Sequence, residues 1–420
     1  MRRMASGWKI TLLLFFITSV VESFGYSHIA SFLPLYLQGM RVSHAATWVG
    51  VLSAITFIVG LPLVPLWGVW ATRYGGKSVI IRSAYVEAVV FAILGFSHAL
   101  PGVIAAMAMV GFQLGNTGIM LAAIRGLVPN DQVGTAVSTF SVASPIGMAL
   151  GPLIGGWLVQ IGMLTLHSLY LMDSLLSIAT GTMLLSLYRE ALLPENTVSP
   201  QPRQSVWSAA WQSVHVTFSL TITWVLFGVY LLLMIARQMV NPYVPLGIEH
   251  LYHAHGNLTV VVGGIIGISA LVGAVVTIVA GRLGDKVGFT RVLALAFALM
   301  VPATLLLGFV GHLLSFMAVL TVFSAMASIS GAMIFALFST RIPPSHRSTA
   351  LNLVYLPLYV GGIIGPLMAS GLIRFGVVGP FCGAATVGAL GLVAILYGGL
   401  HKGYLLSSHA ENSIAPGKGA

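Results

Sequence analysis

The chain has 420 residues, of which 57% are hydrophobic and only 7% are charged, and its formal net charge is +10. Too little charge is present to cover the surface of a soluble domain, so a water-soluble fold is excluded. Apolar stretches of about 20 residues, long enough to cross a bilayer as α-helices, recur along the chain. They predict an all-α polytopic membrane protein with twelve spans, at 10–37, 46–71, 77–97, 101–125, 133–161, 164–188, 215–246, 257–281, 289–310, 313–340, 348–374 and 378–401.

The basic residues predict the orientation, because lysine and arginine are retained on the cytoplasmic side of a membrane. With a cytoplasmic N-terminus, most of them fall inside or near the inner interface: Arg2, Arg3, Lys9, Arg73, Lys77, Arg82, Arg125, Arg189, Arg203, Arg282, Lys286, Arg291, Arg341, Arg347, Lys402 and Lys418. Arg41 and Arg374 fall near outer ends, and Arg237 lies within a span. We therefore expect a multi-pass protein of the cell inner membrane with both termini cytoplasmic. Topology accounts for the positive charge, and no nucleic-acid partner is expected.

An internal repeat divides the chain into two halves. Residues 1–188 and 214–402 each hold six predicted spans, joined by a polar cytoplasmic loop at 189–213 and followed by a cytoplasmic tail at 403–420. Glycines recur between the halves at an offset of 213, pairing Gly50, Gly60, Gly68 and Gly75 with Gly263, Gly273, Gly281 and Gly288. At an offset of 214, Gly147, Gly151 and Pro152 pair with Gly361, Gly365 and Pro366. Two halves built alike are typical of transporters that rock about a central site.

Two short loops between spans carry the same pattern of glycine and charge. They read Gly68-Val-Trp-Ala-Thr-Arg73-Tyr-Gly75-Gly-Lys77 and Gly281-Arg-Leu-Gly-Asp285-Lys286-Val-Gly288-Phe-Thr-Arg291. Glycine tolerates the positive φ of a tight turn, and charged groups at helix ends can bond to neighbouring helices. Both loops resemble the loop signature of the major facilitator superfamily. The first has Thr72 where the signature has a carboxylate, so we expect its cytoplasmic latch to be weaker than that of the second.

The fifth span contains closely spaced glycines and a proline, in the segment Pro145-Ile-Gly147-Met-Ala-Leu-Gly151-Pro152-Leu-Ile-Gly155-Gly156. Glycines four residues apart form a smooth stripe on which another helix packs closely, and Pro152 removes a helical hydrogen bond. The segment resembles the antiporter signature of drug exporters. Gly263 and Gly267 in the eighth span offer a partner stripe.

Over nearly its whole length the chain is similar to the twelve-span drug:H⁺ antiporter family of the major facilitator superfamily. The resemblance rests on the two loops, the fifth span, and the segments Ser31–Tyr36, Val128–Asp131 and Asn241–Leu246. It implies the major facilitator fold, a small-molecule substrate, protons as the coupling ion and no cofactor. The chain departs from the family in the fourth span, where Gly111-Phe-Gln113-Leu-Gly115 lacks the usual arginine.

Three carboxylates within spans are candidates for proton coupling: Glu22, Glu87 and Asp173. A charge at the centre of a bilayer costs roughly 2.5–3.5 kcal/mol on insertion scales, so such residues point to function or to a buried partner. In the family, the first, fourth, seventh and tenth spans line the cavity, which favours Glu22. The alternative for Glu22 is a pair with a donor such as Arg237 that holds the halves together. Asp173 and Glu87 have the alternative of structural hydrogen bonds.

Candidate substrate-binding residues lie on the spans that line the cavity in the family. Tyr26 shares a helix face with Glu22 at i+4. Arg237 can neutralise a carboxylate or bind an anionic substrate group, and the sequence leaves both open. The full candidate set is Glu22, Tyr26, Gln113, Asn116, Tyr230, Met234, Arg237 and Gln238.

The sequence gives less support to a metal site, an ATP-driven pump or an enzyme. The loop after the seventh span holds Glu249, His250, His253 and His255, whose spacing suits a metal or a pH sensor; incomplete exposed sets of this kind are commoner, and no metal is predicted. No P-loop of an ATP-driven pump is present, and no nucleophile has a base and an orienting group beside it, so an enzyme is not expected.

The sequence thus predicts a proton-coupled exporter of amphipathic small molecules or drugs, working as a monomer by alternating access. Two alternatives remain. One is an exporter of a single natural product such as a siderophore, sugar or lipid. The other is a membrane receptor that keeps the fold without transport.

Overall fold

The computed structural model of the chain describes residues 2–129, 132–190, 221–253, 257–341 and 356–400. Across these segments, twelve helical spans are long and apolar enough to cross a membrane. The prediction of an all-α polytopic protein is therefore confirmed. Most of the predicted central loop, the tail and the first residues of the predicted seventh and eleventh spans lie outside the described segments, so the limits of the loop and tail stay predictions.

Eight helices build the first six spans. They are α1 (Arg2–Gly39), α2 (Ala45–Tyr74), α3 (Gly76–Phe96), α4 (Leu100–Gln113), α5 (Asn116–Leu127), α6 (Val133–Ser141), α7 (Ala143–Gln160) and α8 (Leu166–Leu187). The fourth span is α4 with α5, and the fifth is α6 with α7.

Seven helices build the last six spans. They are α9 (Thr221–Val240), α10 (Val244–Leu251), α11 (Leu258–Val287), α12 (Phe289–Leu306), α13 (Leu313–Arg341), α14 (Leu356–Leu372) and α15 (Val378–Leu400). Short 3₁₀ turns at Asn241–Tyr243 and Ile373–Phe375 follow α9 and α14. The seventh span runs through the first of these turns to Leu251, beyond its predicted end at 246.

The predicted fourth span, 101–125, is broken near its middle. Leu114 is extended, with ψ of 153°, and Gly115 takes a φ of 103° before α5 begins at Asn116. Glycine adopts this left-handed conformation without a steric penalty, which allows the chain to leave one helix and start another inside the span. The break exposes the last carbonyls of α4, which have no donor within their own helix.

Helix α7 is held between α1 and α11, and helix α14 is held in the same way between α9 and α2. The closest approaches are made by residues that the repeat relates. A Cβ on Gly50 would collide with the Pro366 carbonyl, and a Cβ on Gly263 would collide with the Pro152 carbonyl. The two halves therefore meet through two equivalent seats, each formed by a glycine of one half and the carbonyl of a proline of the other.

Both seats lie toward one end of the bundle, which we call the distal end: the end opposite the N-terminus of α1. Two hydrogen bonds also join the halves there. The Gln38 side chain donates to Glu249 Oε2 at 2.8 Å, and the Ser370 hydroxyl donates to the Thr47 carbonyl at 2.9 Å. The molecule is thus closed at its distal end.

Candidate functional site

Glu22 lies on α1 with its side chain buried, 9% exposed. Its Oε1 accepts a hydrogen bond of 2.6 Å from the Asn116 side-chain amide. Asn116, itself buried, is the first residue of α5, directly after the break in the fourth span. The break therefore brings a polar side chain of the fourth span to the candidate carboxylate on the first.

Arg82 reaches the same break from α3. Its Nη2 donates to the carbonyls of Gln113 and Leu114, at 3.4 and 3.3 Å, and its guanidinium lies 3.4 Å from the ring centre of Trp67. The guanidinium also interacts electrostatically with the Glu22 carboxylate. A positive charge is thus present at the fourth span, although that span has no arginine of its own at this position. Arg82 was predicted to lie inside or near the inner interface, and its contacts with the fourth span were not predicted.

Glu87, a second candidate carboxylate, lies on α3 and is 1% exposed. The Ser177 hydroxyl on α8 donates to its Oε2 at 3.2 Å. The Glu87 carboxylate interacts electrostatically with those of Glu22 and Asp173. The three predicted carboxylates of the first half therefore form one electrostatically coupled group.

Asp173, the third candidate, is paired with a histidine that sequence reasoning overlooked. Its Oδ2 lies 2.7 Å from Nδ1 of His28, and the two side chains are 1% and 0% exposed. Nε2 of His28 lies 2.9 Å from the Gly151 carbonyl. The pair therefore joins α1, α7 and α8 inside the first half.

Arg237 is not among the groups that interact with Glu22. It lies on α9, where Tyr230, two turns earlier on the same helix, is the titratable group with which it interacts. Glu22 instead accepts a hydrogen bond from Asn116, in its own half. In this conformation, therefore, a Glu22–Arg237 pair does not hold the halves together.

The other predicted substrate residues divide between the halves. Tyr230 and Met234 are buried in the core of the second half, and the Tyr230 and Phe335 rings meet edge to face, 5.7 Å apart. Gln238 lies on α9 beside α14. In the first half, Tyr26 packs against the core, and Gln113 ends α4 at the break.

Helix α7 packs against α11 at the predicted Gly263 and Gly267, but its own glycine stripe faces α1. Cβ atoms added at Gly147, Gly151 and Gly155 would meet atoms of residues 20–28 on α1. Gly263 and Gly267 of α11 instead face the neighbouring side of α7, at Ala149, Pro152 and Leu153. The reason is helical geometry: each residue turns the chain by about 100°, so Pro152 and Gly156 lie one face away from Gly151 and Gly155. In the second half, Gly361 and Gly365 face α9 in the same way.

The first loop signature gains a carboxylate from outside the loop. Glu190 Oε1 and Oε2 accept hydrogen bonds from the backbone N–H groups of Gly76 and Lys77, at 2.6 and 3.2 Å, at the start of α3. Lys77 Nζ in turn donates to the carbonyls of Leu185 and Tyr188 at the end of α8. Glu190 thus supplies a carboxylate at this loop although Thr72 does not, and the predicted weakness of its latch stays a prediction.

The remaining signature residues form turns and exposed helix ends. Gly75 and Gly288 have φ of 87° and 98°, as the turns require. Gly68 lies in α2, and Arg73 stacks near Tyr74. In the second loop, Asp285, Lys286 and Arg291 are exposed, and Gly281 lies in α11.

The possible metal loop is only partly described. Glu249 and His250 end α10, His253 follows them, and His255 lies outside the described residues. Within the described part of the chain, no three His, Cys, Asp or Glu side chains cluster closely enough to hold a metal ion.

Two functional candidates were missed for different reasons. Arg82 lies inside the predicted third span, so its position already indicated burial. His28 gave no local signal, because its partner Asp173 lies 145 residues away.

Comparisons with known proteins agree with this architecture. The family profile described as Major Facilitator Superfamily matches residues 15–273 and 226–412. Multidrug resistance protein MdtG of Proteus mirabilis (strain HI4320) is 24% identical over 368 residues, covering 87% of this chain and 89% of that protein. MdtG of Dickeya zeae (strain Ech586) is 28% identical over 306 residues, covering 71% of each.

Two solved structures share the fold at low sequence identity. An inward-facing, unoccupied bacterial homolog of the human lysosomal transporter Spinster has a TM-score of 0.70 at 14% identity, covering 93% of this chain and 94% of that one. Nucleoside transporter NupG has a TM-score of 0.71 at 12% identity, covering 92% and 97%. These relatives are transporters and not enzymes. The chain belongs to the Major Facilitator Superfamily and is a multi-pass secondary transporter of small molecules.

Proposed function

We propose that this transporter exports amphipathic small molecules, drugs among them, in exchange for protons. Two observations support export: the relatives are named multidrug resistance proteins, and the glycine stripe of α7 resembles the antiporter signature. The alternating access on which export depends would part the two distal seats, Gly50 with Pro366 and Gly263 with Pro152.

The observation that carries proton coupling is the environment of Glu22. Its carboxylate is buried, is bonded to Asn116 and interacts with Arg82. Neutralising a buried carboxylate is easier than burying an unpaired charge. In one conformation the site would open to water, and in another the Glu22 carboxylate would contact Arg82. These two environments would favour different protonation states of Glu22. That difference between states is what coupling requires.

The positions of the basic residues support an orientation. Arg73, Lys77, Lys286 and Arg291 lie at the end of the bundle that holds the N-terminus of α1, opposite the distal end. Basic residues mark the cytoplasmic face. We therefore infer that both termini lie in the cytoplasm and that the distal end lies at the outer face of the inner membrane. We further propose that the monomer is the working unit.

Transport into liposomes tests the proposal. The purified protein is reconstituted, a pH gradient is imposed, and accumulation of a cationic dye such as ethidium, a neutral antibiotic and a metal chelate is followed. Glu22→Gln keeps the shape of a protonated glutamate, so it should bind dye but lose gradient-driven accumulation. Glu22→Asp keeps a titratable carboxylate and should retain part of the activity.

Glu87→Gln is the matched control, because it removes another buried carboxylate, which lies between α3 and α8, and it should reduce accumulation less. If Glu22→Gln accumulates dye as well as the parent and with the same pH dependence, Glu22 is not the coupling site and Asp173 becomes the next candidate. Movement of a single compound would indicate the narrow exporter, and movement of none by a folded protein would indicate the receptor.

A further inference from the structure

The His28–Asp173 pair is fully enclosed and bonded at both ring nitrogens. Nδ1 of His28 meets Asp173 Oδ2 at 2.7 Å, and Nε2 meets the Gly151 carbonyl at 2.9 Å. A carbonyl oxygen only accepts hydrogen bonds, so Nε2 must carry a hydrogen and donate it. The geometry thereby assigns the tautomer of the ring.

The second proton of the pair lies between Nδ1 and Oδ2. Either the protonated carboxyl donates to Nδ1, or a protonated imidazolium donates to the carboxylate; in both forms the pair carries no net charge. Asp173 Oδ1 is buried and has no hydrogen-bond partner among the described residues. An ionised carboxylate so poorly bonded is costly, which favours the form with the proton on Asp173.

Losing that proton is incompatible with the observed geometry. The lone pair on Nδ1 would then face a buried carboxylate at 2.7 Å, or, after a change of tautomer, the lone pair on Nε2 would face the Gly151 carbonyl at 2.9 Å. Either contact is repulsive and leaves a net negative charge out of water. The proton can leave only as α1 separates from α7 and α8.

The pair also touches the contact between the halves through α7. His28 donates a hydrogen bond to the Gly151 carbonyl. The next carbonyl along α7, that of Pro152, contacts Gly263 of α11 and forms one of the two distal seats. Gly155 lies against the His28 ring, and Gly156 lies against Thr259 and Val260 of α11. A shift of α1 relative to α7 would therefore displace the distal seat.

We propose that His28 and Asp173 form a second proton-binding site whose bound proton clamps α1 onto α7 and α8 and favours closure of the distal end. The inference rests on the alternating access proposed above, but not on Glu22 as the coupling residue. Other titratable groups interact with the pair: Glu87 from α3, Tyr170 from α8 and, through Glu87, Glu22 from α1. Helix α7 contributes none.

Distances between spin labels test the clamp without measuring transport. Labels are placed at exposed Met163 and Phe309, which lie at the distal ends of the first and second halves, in a Cys382→Ser background. Raising the pH should shift the parent from the short to the long label distance. For one linked proton, the ratio of the long-distance to the short-distance population should rise by up to about tenfold per pH unit. Asp173→Asn can donate to Nδ1 as the protonated carboxyl does, so it should favour the short distance and show a weaker pH dependence than the parent, with only the contribution of Glu22 remaining.

His167→Gln is the matched control. His167 Nε2 also lies 3.0 Å from a carbonyl, that of Ser97, but no carboxylate among the described residues forms an ion pair with it. This variant should keep the parent's pH dependence. A second variant, His28→Phe with Asp173→Leu, replaces the pair by apolar groups without leaving a buried charge. It should show the same weakened pH dependence even if Asp173→Asn does not fold.

The inference is overturned if the folded Asp173→Asn or double variant retains the pH dependence of the parent, as it would if Glu22 alone bound the proton. It is also overturned if His167→Gln loses the dependence equally. Failure of the proposed export is recognised separately in the liposome assay, where the parent would move no compound. A parent whose label distance does not change with pH also overturns the inference.

Discussion

The two halves of the molecule share their backbone contacts but differ in the charged groups that their spans enclose. In both halves, glycines related by the repeat receive a neighbouring backbone: Gly151 meets α1, and Gly365 meets α9. The first half buries Glu22, Glu87 and Asp173. In the described part of the second half, the carboxylates lie only at the ends of the spans, at Glu249 and Asp285.

This difference between the halves shows that backbone contacts and buried charges are constrained separately. Close approach of helices forbids side chains at particular positions, so glycine persists in both copies of the repeat. Side chains that face the interior of one half are free of that constraint and can differ. We therefore expect the halves to be mechanically equivalent, with proton binding concentrated in the first half.

The largest effect should come from filling the equivalent backbone contacts. Gly151→Leu and Gly365→Leu each place a bulky side chain against helix backbone, and overpacking of this kind typically costs about 1–3 kcal/mol, occasionally more. Both variants should insert and fold but lose most dye transport, by roughly tenfold or more, in the liposome assay. Gly264→Leu and Gly371→Leu are the controls, because a Cβ at either position meets no atom within 4 Å. Full transport by both test variants would refute the packing assignment.

The second prediction compares an arginine of the first half with one of the second half and expects different effects. Arg82→Met removes the positive charge beside Glu22 and the donor to the exposed carbonyls of α4, so the pH dependence of transport should change. Arg237 is not among the groups that interact with Glu22, Glu87 or Asp173. Arg237→Met should therefore change the dye concentration for half-maximal transport with little effect on the pH profile. Arg82→Lys keeps the charge and should recover part of the profile. The same altered pH profile in both methionine variants would contradict an asymmetric proton site.

The third effect compares the two loop signatures. Glu190→Gln weakens the bonds that cap α3, and loss of a helix cap typically costs about 1 kcal/mol. It should lower the unfolding temperature measured by tryptophan fluorescence in detergent, whereas Asp285→Asn should change it less, because the exposed Asp285 lies in water. An equal or larger decrease for Asp285→Asn would show that Glu190 does not replace the missing loop carboxylate.

The smallest effect concerns the bond between Gln38 and Glu249 at the distal end. A single partly exposed hydrogen bond contributes about 1 kcal/mol or less, so Gln38→Ala should raise the population with the long distal label distance by at most about fivefold. Glu249→Gln keeps the size of the side chain and should have a still smaller effect. A complete loss of the short distance in Gln38→Ala would mean that the two glycine seats contribute little to closure.

Span number and the repeat could be predicted because both depend on properties that are local in the sequence. Hydrophobic length alone separates twelve spans. The glycine offsets likewise predicted that Gly50 and Gly263 are equivalent positions of the two halves. A position where two backbones touch excludes a side chain in either copy of the repeat. The break before Asn116 was less visible, since a single glycine within an apolar stretch rarely ends a helix.

By itself, the sequence determined the fold class, the family resemblance and the three buried carboxylates, because bilayer thickness and the cost of buried charge act on individual segments. Only the tertiary structure decided the partners: Asn116 and Arg82 for Glu22, His28 for Asp173, Glu190 for the first loop and α1 for the glycine stripe. These partners join residues on different helices, up to 145 positions apart. Which helices meet, and with which faces, depends on the packing of all the spans together, which no single segment specifies.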